Sequence, residues 1–277
     1  MTTSVVNLLK CPICGESCNT DEPQKRCFCL GRKQHSFDFA KSGYLNLCLA
    51  SKFGDNKDAI RARSNFLEAD YYLPLANEIN KLLTELQAES VLDAGCGEGY
   101  YTNRMTEVCE IVFGADLSKD GIDKAAKTAK QKASNAAFAV ASLFELPVKD
   151  GSFDAVTNIF APCGENEVSR VLKGGGHLIL VGAGKEHLMG LKRLLYENPY
   201  FNPERNDLPQ SMKLLEMRNL KQNITVIGND MIQALFSMTP YYWRTSEADR
   251  AKLTDIDRLE TEIDFNIYIY QKDGQAK

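Results

Sequence analysis

The chain has 277 residues and a mass near 31 kDa, enough for one large domain plus a small one. Hydrophobic residues make up 44% and charged residues 25%, the usage of an ordinary globular protein, and no apolar run approaches the roughly 18 residues of a membrane-spanning helix. The net charge of −4 excludes a chain coated in non-specific nucleic-acid affinity, yet Met1–Phe66 holds ten Lys and Arg against six Asp and Glu, so the N-terminal quarter is basic.

In chain order, Met1–Lys10 has neither a basic start before an apolar stretch nor an Arg- and Ser-rich amphipathic character, so the expected location is the cytoplasm, with no membrane partner. Cys11 to about Ala50 is short, turn-rich and crowded with six of the nine cysteines. Cys11-Pro-Ile-Cys14 is a C-x-x-C, and Cys27, Cys29 and His35 follow. Zinc takes four soft or borderline ligands in a tetrahedron, which points to Cys11, Cys14, Cys29 and His35 around a structural Zn²⁺, with Cys27 as the alternative third thiolate. A redox C-x-x-C is the rival, but that motif opens a helix after a strand, and none is apparent. Asp55–Glu89 carries apolar residues at spacings of three and four (Ile60, Phe66, Leu67, Tyr71, Leu75, Ile79, Leu82) and is expected to be mostly helical.

From Ser90 onward short apolar runs alternate with helical stretches, the pattern of βαβ units around a parallel sheet. Strands are expected at Val91–Ala94, Ile111–Asp116, Ala137–Val140, Ala155–Phe160 and His177–Val181, with helices near Tyr100–Val108, Lys119–Lys132, Glu165–Leu172 and Glu186–Glu197. Pro199–Lys213 reads as a loop, and Asn223–Ile227 and Ile263–Tyr270 as two last strands. The expected division is a zinc-binding unit over 1–50, a helical link over 51–89 and the α/β unit over 90–277.

The sharpest signal is Val91-Leu92-Asp93-Ala94-Gly95-Cys96-Gly97-Glu98-Gly99, a strand running through three alternate glycines into a helix. Without Cβ atoms the backbone turns sharply and lets a ligand lie against it. The D-x-G-x-G-x-G spacing suits a cationic amino-acid moiety better than a pyrophosphate, so Asp93, Gly95 and Gly97 become candidate cofactor contacts. Asp116 ends the next strand nineteen residues after Gly97, where a carboxylate accepts from both hydroxyls of a ribose. A dinucleotide dehydrogenase is the competing reading.

This loop, with Phe153-Asp-Ala-Val156 and Arg170-Val-Leu-Lys-Gly-Gly-Gly176, resembles the class I methyltransferases, a doubly wound, mostly parallel α/β fold that binds S-adenosylmethionine. Their third strand is often followed by an acid that binds adenine; here Ala141-Ser142-Leu143 stands there, so a hydroxyl or a backbone amide must serve instead, with Ser142 the candidate. The whole chain resembles a narrower family, the bacterial 23S ribosomal RNA (guanine-N1-)-methyltransferases, which include macrolide-resistance enzymes. The likeness rests on Cys11–Cys14, His35-Ser-Phe-Asp-Phe-Ala-Lys-Ser-Gly-Tyr-Leu-Asn-Leu47, Arg61-Ala-Arg63, Tyr72-Leu-Pro-Leu75, Phe160-Ala-Pro162, His187-Leu-Met189, Met238-Thr-Pro240 and Asp264-Phe-Asn-Ile267. Two extra residues between Cys29 and His35 depart from the family's compact spacing.

The resemblance implies a zinc domain that helps grip an RNA hairpin, and methyl transfer to N1 of a guanine of 23S rRNA near the peptide exit tunnel. It also implies Tyr72, Gly97, Glu98 and His187 as cofactor contacts. Arg32, Lys33, Lys41, Arg61 and Arg63 are the expected phosphate contacts, and Phe160 is either a stacking surface for the target base or a core residue. No side chain is singled out as the base for the N1 proton, and a homodimer is left open. The alternatives are a methyltransferase acting on a small molecule and a non-catalytic RNA-binding protein on the same scaffold.

Overall fold

The computed structural model describes residues 1, 3–21, 26–49, 57–203 and 209–274. The boundary expected at 50 and 51, and part of the expected loop at 204–208, lie outside the described residues.

The N-terminal segment opens with one helical turn, α1 (Thr3–Val6), and continues as an antiparallel sheet of β1 (Cys18–Thr20), β2 (Arg26–Cys29) and β3 (Ser36–Asp38). The two-residue strand β4 (Leu45–Asn46) leaves this unit and pairs in parallel with Ala139 and Val140. Two helices follow, α2 (Lys57–Glu68) and α3 (Leu73–Glu85), where the periodicity predicts one helical stretch. The break falls at Asp70, whose φ of 62° is left-handed, and Pro74 restarts the helix in its first turn, where a missing N–H costs nothing.

The α/β part runs β5 (Ser90–Ala94), α4 (Tyr100–Met105), β6 (Ile111–Asp116), α5 (Lys119–Gln131), β7 (Ala137–Val140), β8 (Phe153–Ile159), α6 (Glu165–Val171), β9 (Leu172–Ala183), α7 (Met189–Leu195), β10 (Lys213–Ile227), α8 (Asn229–Ser237), α9 (Glu247–Ala251) and β11 (Arg258–Gln271). The large sheet has the order β10-β11-β9-β8-β5-β6-β7-β4. Its strands from β9 to β4 are parallel, and β11 is antiparallel to both β9 and β10. This is the doubly wound α/β architecture read from the sequence.

Alternate residues along each strand feed opposite faces, because successive Cβ atoms point to opposite sides of the pleat. Val91, Val112, Ala155, Ile179 and Val181 join α2, α3, α7 and α8 in one core, while Leu92, Phe113, Val156, Leu178 and Leu180 join Val5, Leu9 and Val171 in the other. The second core also takes in Cys11, Cys18, Cys27 and Cys29, so the N-terminal unit shares its packing with the sheet. Helices α2 and α3 likewise bury Phe66, Leu75, Ile79 and Leu83 in the first core. Among the described residues, no helix is long and apolar enough to cross a membrane.

A cofactor cleft and a cysteine–histidine cluster

The chain order turns back between β5 and β8: β6 and β7 continue to one side of β5, and β8 and β9 to the other. In open α/β sheets ligands bind at the carboxyl ends of the strands flanking such a switch point. Here those ends are Gly95–Gly99 after β5 and Phe160–Pro162 after β8, and together they line a cleft of ≈ 360 Å³.

Gly95, Gly97 and Gly99 all have positive φ (89°, 53° and 75°), the left-handed region that glycine alone enters freely. A Cβ on Gly95 would collide with the Cβ of Ala161 across the cleft floor. Asp116 is fixed by the loop it serves: Oδ2 accepts from Gly97 N–H at 3.0 Å and Oδ1 from Ser118 N–H at 2.7 Å. A carboxylate has about four acceptor positions, so one on each oxygen is left. Asp93, on β5, is 1% exposed and faces inward, accepting from Thr102 Oγ1 at 2.5 Å and Thr157 Oγ1 at 2.9 Å. Burial pushes its carboxyl up to about 6 in spite of the two hydroxyl donors.

Glu98 is buried at the cleft wall and held by Arg63, whose Nε lies 2.9 and 2.8 Å from its two carboxylate oxygens and whose Nη2 lies 2.7 Å from Oε2. Arg63 therefore belongs to the cleft rather than to a phosphate-binding face, whereas Arg32, Lys33, Lys41 and Arg61 are exposed. Tyr72 caps the start of α3 and is buried, with its hydroxyl 3.2 Å from His187 Nε2. His187 Nδ1 accepts the backbone N–H of Asp264 at 3.2 Å, so the ring proton sits on Nε2 and is donated to the Tyr72 oxygen. Burial lowers the imidazole to about 4, which keeps this tautomer neutral.

Ser142 stands apart. It lies just past β7, and its Oγ accepts the N–H of Phe144 at 3.2 Å in a local turn; Leu143 is the neighbour that reaches toward Gly95. Sequence reasoning missed Tyr101 and Met238, which also line the cleft. Tyr101 lies in the first turn of α4, two residues after Gly99, and its hydroxyl is buried with no hydrogen-bond partner. A cradle without side chains, a ribose-competent carboxylate and an orphaned buried hydroxyl fit S-adenosylmethionine.

The second site is the cluster of Cys11, Cys14, Cys29 and His35, whose donor atoms all lie within 4.8 Å of one another. Sγ of Cys29 is 3.6 Å from that of Cys14, and His35 Nδ1 is 3.5 Å from Cys29 Sγ and 3.6 Å from Cys11 Sγ. A tetrahedron with bonds of about 2.1–2.3 Å has edges of about 3.5–3.8 Å, so the donor set fits zinc. The N–H of Ile13 points to Cys11 Sγ and that of His35 to Cys29 Sγ, and the latter lowers the Cys29 thiol to about 6. The two extra residues sit in the turn between β2 and β3, where Cys29 N–H closes on His35 O at 2.9 Å. Cys27 is fully buried in the core, where its side chain meets Cys18 and not the cluster.

Comparison with known proteins follows this division. The family described as "RlmA, N-terminal", a zinc ribbon, matches residues 9–51, and a methyltransferase domain matches residues 91–176. A Streptomyces fradiae 23S rRNA (guanine(748)-N(1))-methyltransferase is 32% identical over 200 residues, covering 69% of each chain. The chain belongs to the 23S rRNA (guanine-N(1)-)-methyltransferases. A Bacillus subtilis protein, YxjB, assigned provisionally to this guanine-N(1) family, is 28% identical over 96% of this chain and 98% of its own. For the fold alone, a Galdieria sulphuraria crystal structure, described provisionally as a sarcosine dimethylglycine methyltransferase, aligns with a TM-score of 0.50 at 12% identity. The alignment covers 78% of this member of the guanine-N(1) family and 99% of that chain.

Proposed function

We propose that the protein transfers a methyl group from S-adenosylmethionine to N1 of a guanine in a 23S rRNA hairpin near the peptide exit tunnel. The carrying observation is a zinc ribbon of the RlmA N-terminal type in the same chain as the cofactor cleft. A methyltransferase for a small molecule has no use for that ribbon, and a scaffold without activity has no need of an intact glycine loop.

In this reading S-adenosylmethionine supplies an electrophilic sulfonium methyl, and the protein aligns it with the nucleophile and excludes water. The two free acceptor positions of Asp116 take the ribose hydroxyls, and the bare backbone of Gly95–Gly99 lies against the nucleoside. Glu98 and the Tyr72 hydroxyl, oriented by His187, face the amino-acid moiety. Cys11, Cys14, Cys29 and His35 hold the zinc that keeps the ribbon folded. Residues 1–50 act as the RNA-recognition unit, 51–89 as the helical link and 90–277 as the methyl-transfer unit. Exposed Arg32, Lys33, Lys41 and Arg61 supply phosphate contacts. A ribosomal RNA substrate places the protein in the cytoplasm, and a homodimer, to be checked by light scattering, completes the proposal.

The test is a map of N1-methylguanine in 23S rRNA from cells with and without the gene. One guanine should lose its methyl group in the deletion strain, and an unchanged map would overturn the rRNA assignment while leaving the methyltransferase fold in place.

A further inference from the structure

Phe160 is out of keeping with a core residue. It follows β8 directly, with φ of +54°, a left-handed conformation unfavourable for a bulky side chain. Its N–H is nevertheless tied to Val181 O at 3.1 Å, which carries the β8–β9 ladder one residue past the end of β8. The strain is not offset by burial: Phe160 is 46% exposed, while Ile159 before it is 7% exposed. Its ring stands in the cleft, 5.5 Å from Phe265 and 6.4 Å from His187, and lies within 23° of parallel to the imidazole.

Strand order assigns this ring a ligand. The ribose anchor Asp116 ends β6, on one side of β5, and Phe160 ends β8, on the other. A nucleoside lying over Gly95–Gly99 and held at Asp116 spans β5 and β6, which leaves the end of β8 to the methyl acceptor. We infer that the Phe160 ring is the platform on which the target purine stacks after leaving its own base stack. The inference rests on the guanine-methylation reading above. An unstacked base loses its aromatic neighbours, and proteins that read unpaired RNA replace them with aromatic side chains. Phe265 and His187 lie behind the ring, so its other face is the one open to the RNA.

The experiment uses the full zinc-loaded chain, 23S rRNA purified from the deletion strain, and radiolabelled S-adenosylmethionine. Phe160→Ala and Phe160→Asn should lower kcat/KM for the RNA by about 5- to 150-fold, the loss expected for one base–aromatic stack. Asn adopts the left-handed backbone readily, so that variant removes the ring without disturbing the chain. Phe160→Tyr should recover most of the loss, and calorimetric affinity for S-adenosylmethionine should stay within about 3-fold in all three. Wild-type transfer rates in both ring-less variants would overturn the inference alone. So would a parallel loss of cofactor affinity, which would make the ring a wall of the cofactor site. Absence of N1-methylguanine with the wild-type chain, in spite of cofactor binding, would instead overturn the guanine reading and this inference with it.

Discussion

Two buried titrating groups at the cleft pull the acid stability of the protein in opposite directions, and substitution should separate them. Desolvation holds His187 near 4, against 6.5 for an ordinary imidazole. As pH falls through 6.5 the unfolded chain takes up a proton that the native ring refuses, so native stability drops. Between about pH 7.5 and 5 this amounts to about 2 kcal/mol. Asp93 works the other way. Desolvation raises its carboxyl from 3.8 to about 6, so the native state binds the proton first as pH falls. Over the same interval that returns about 1 kcal/mol of stability.

Urea unfolding of the zinc-loaded protein at several pH values in this range measures both. The stability gap between His187→Gln and the wild type should move by about 2 kcal/mol in favour of the variant on going from about pH 7.5 to 5. The gap for Asp93→Asn should move by about 1 kcal/mol against the variant. Only the pH dependence of each gap matters, since the constant part includes lost hydrogen bonds. A His187→Gln gap that stays level within about 0.5 kcal/mol would refute the claim that a neutral, buried imidazole sits behind Tyr72.

Other consequences follow from the same geometry. Asp116→Ala removes the carboxylate proposed to accept from both ribose hydroxyls and should weaken S-adenosylmethionine binding by about 150-fold or more in calorimetry, the equivalent of two hydrogen bonds to a charged group; unchanged affinity would disprove the ribose role. Gly95→Ala combines φ of +89° with a collision at Ala161 and should abolish measurable cofactor binding while the ribbon keeps its zinc by metal analysis. Cys29→Ser should lose zinc, whereas Cys27→Ser should retain one equivalent; the reverse result would reassign the third ligand.

The parts legible in the sequence were those where the backbone itself dictates residue type. Gly95, Gly97 and Gly99 occupy conformations that other residues resist, and Asp116 follows at a spacing set by one βαβ unit, so loop and carboxylate could be read together. The Tyr72–His187 contact joins residues 115 apart; the family resemblance pointed to each residue singly, and nothing in the sequence pointed to their pairing. Arg63 read as a phosphate contact because nothing in a linear string reveals that Glu98, buried and acidic, needs a cation. Strand β10 was expected from Asn223 and begins at Lys213, because an edge strand alternates weakly and its first ten residues are, apart from Leu220, polar or exposed. Helix α8 was overlooked although Ile232, Leu235 and Phe236 carry the helical spacing after Gly228. Ser142 was placed by analogy with an acid, and its hydroxyl accepts the Phe144 N–H of its own turn, which leaves its O–H free to donate.

The two residues of β4 have an importance out of proportion to their length. They cover the Ala139–Val140 half of the edge that β7 would otherwise present to solvent, and unsatisfied rows of amides and carbonyls recruit strands from other molecules. Because β4 belongs to the segment organised by the metal cluster, stripping the zinc with a chelator should do more than unfold a ribbon. It should uncover a sticky margin and open the core that the ribbon shares with the sheet, so that demetallated protein self-associates through β7 and elutes early in size-exclusion chromatography.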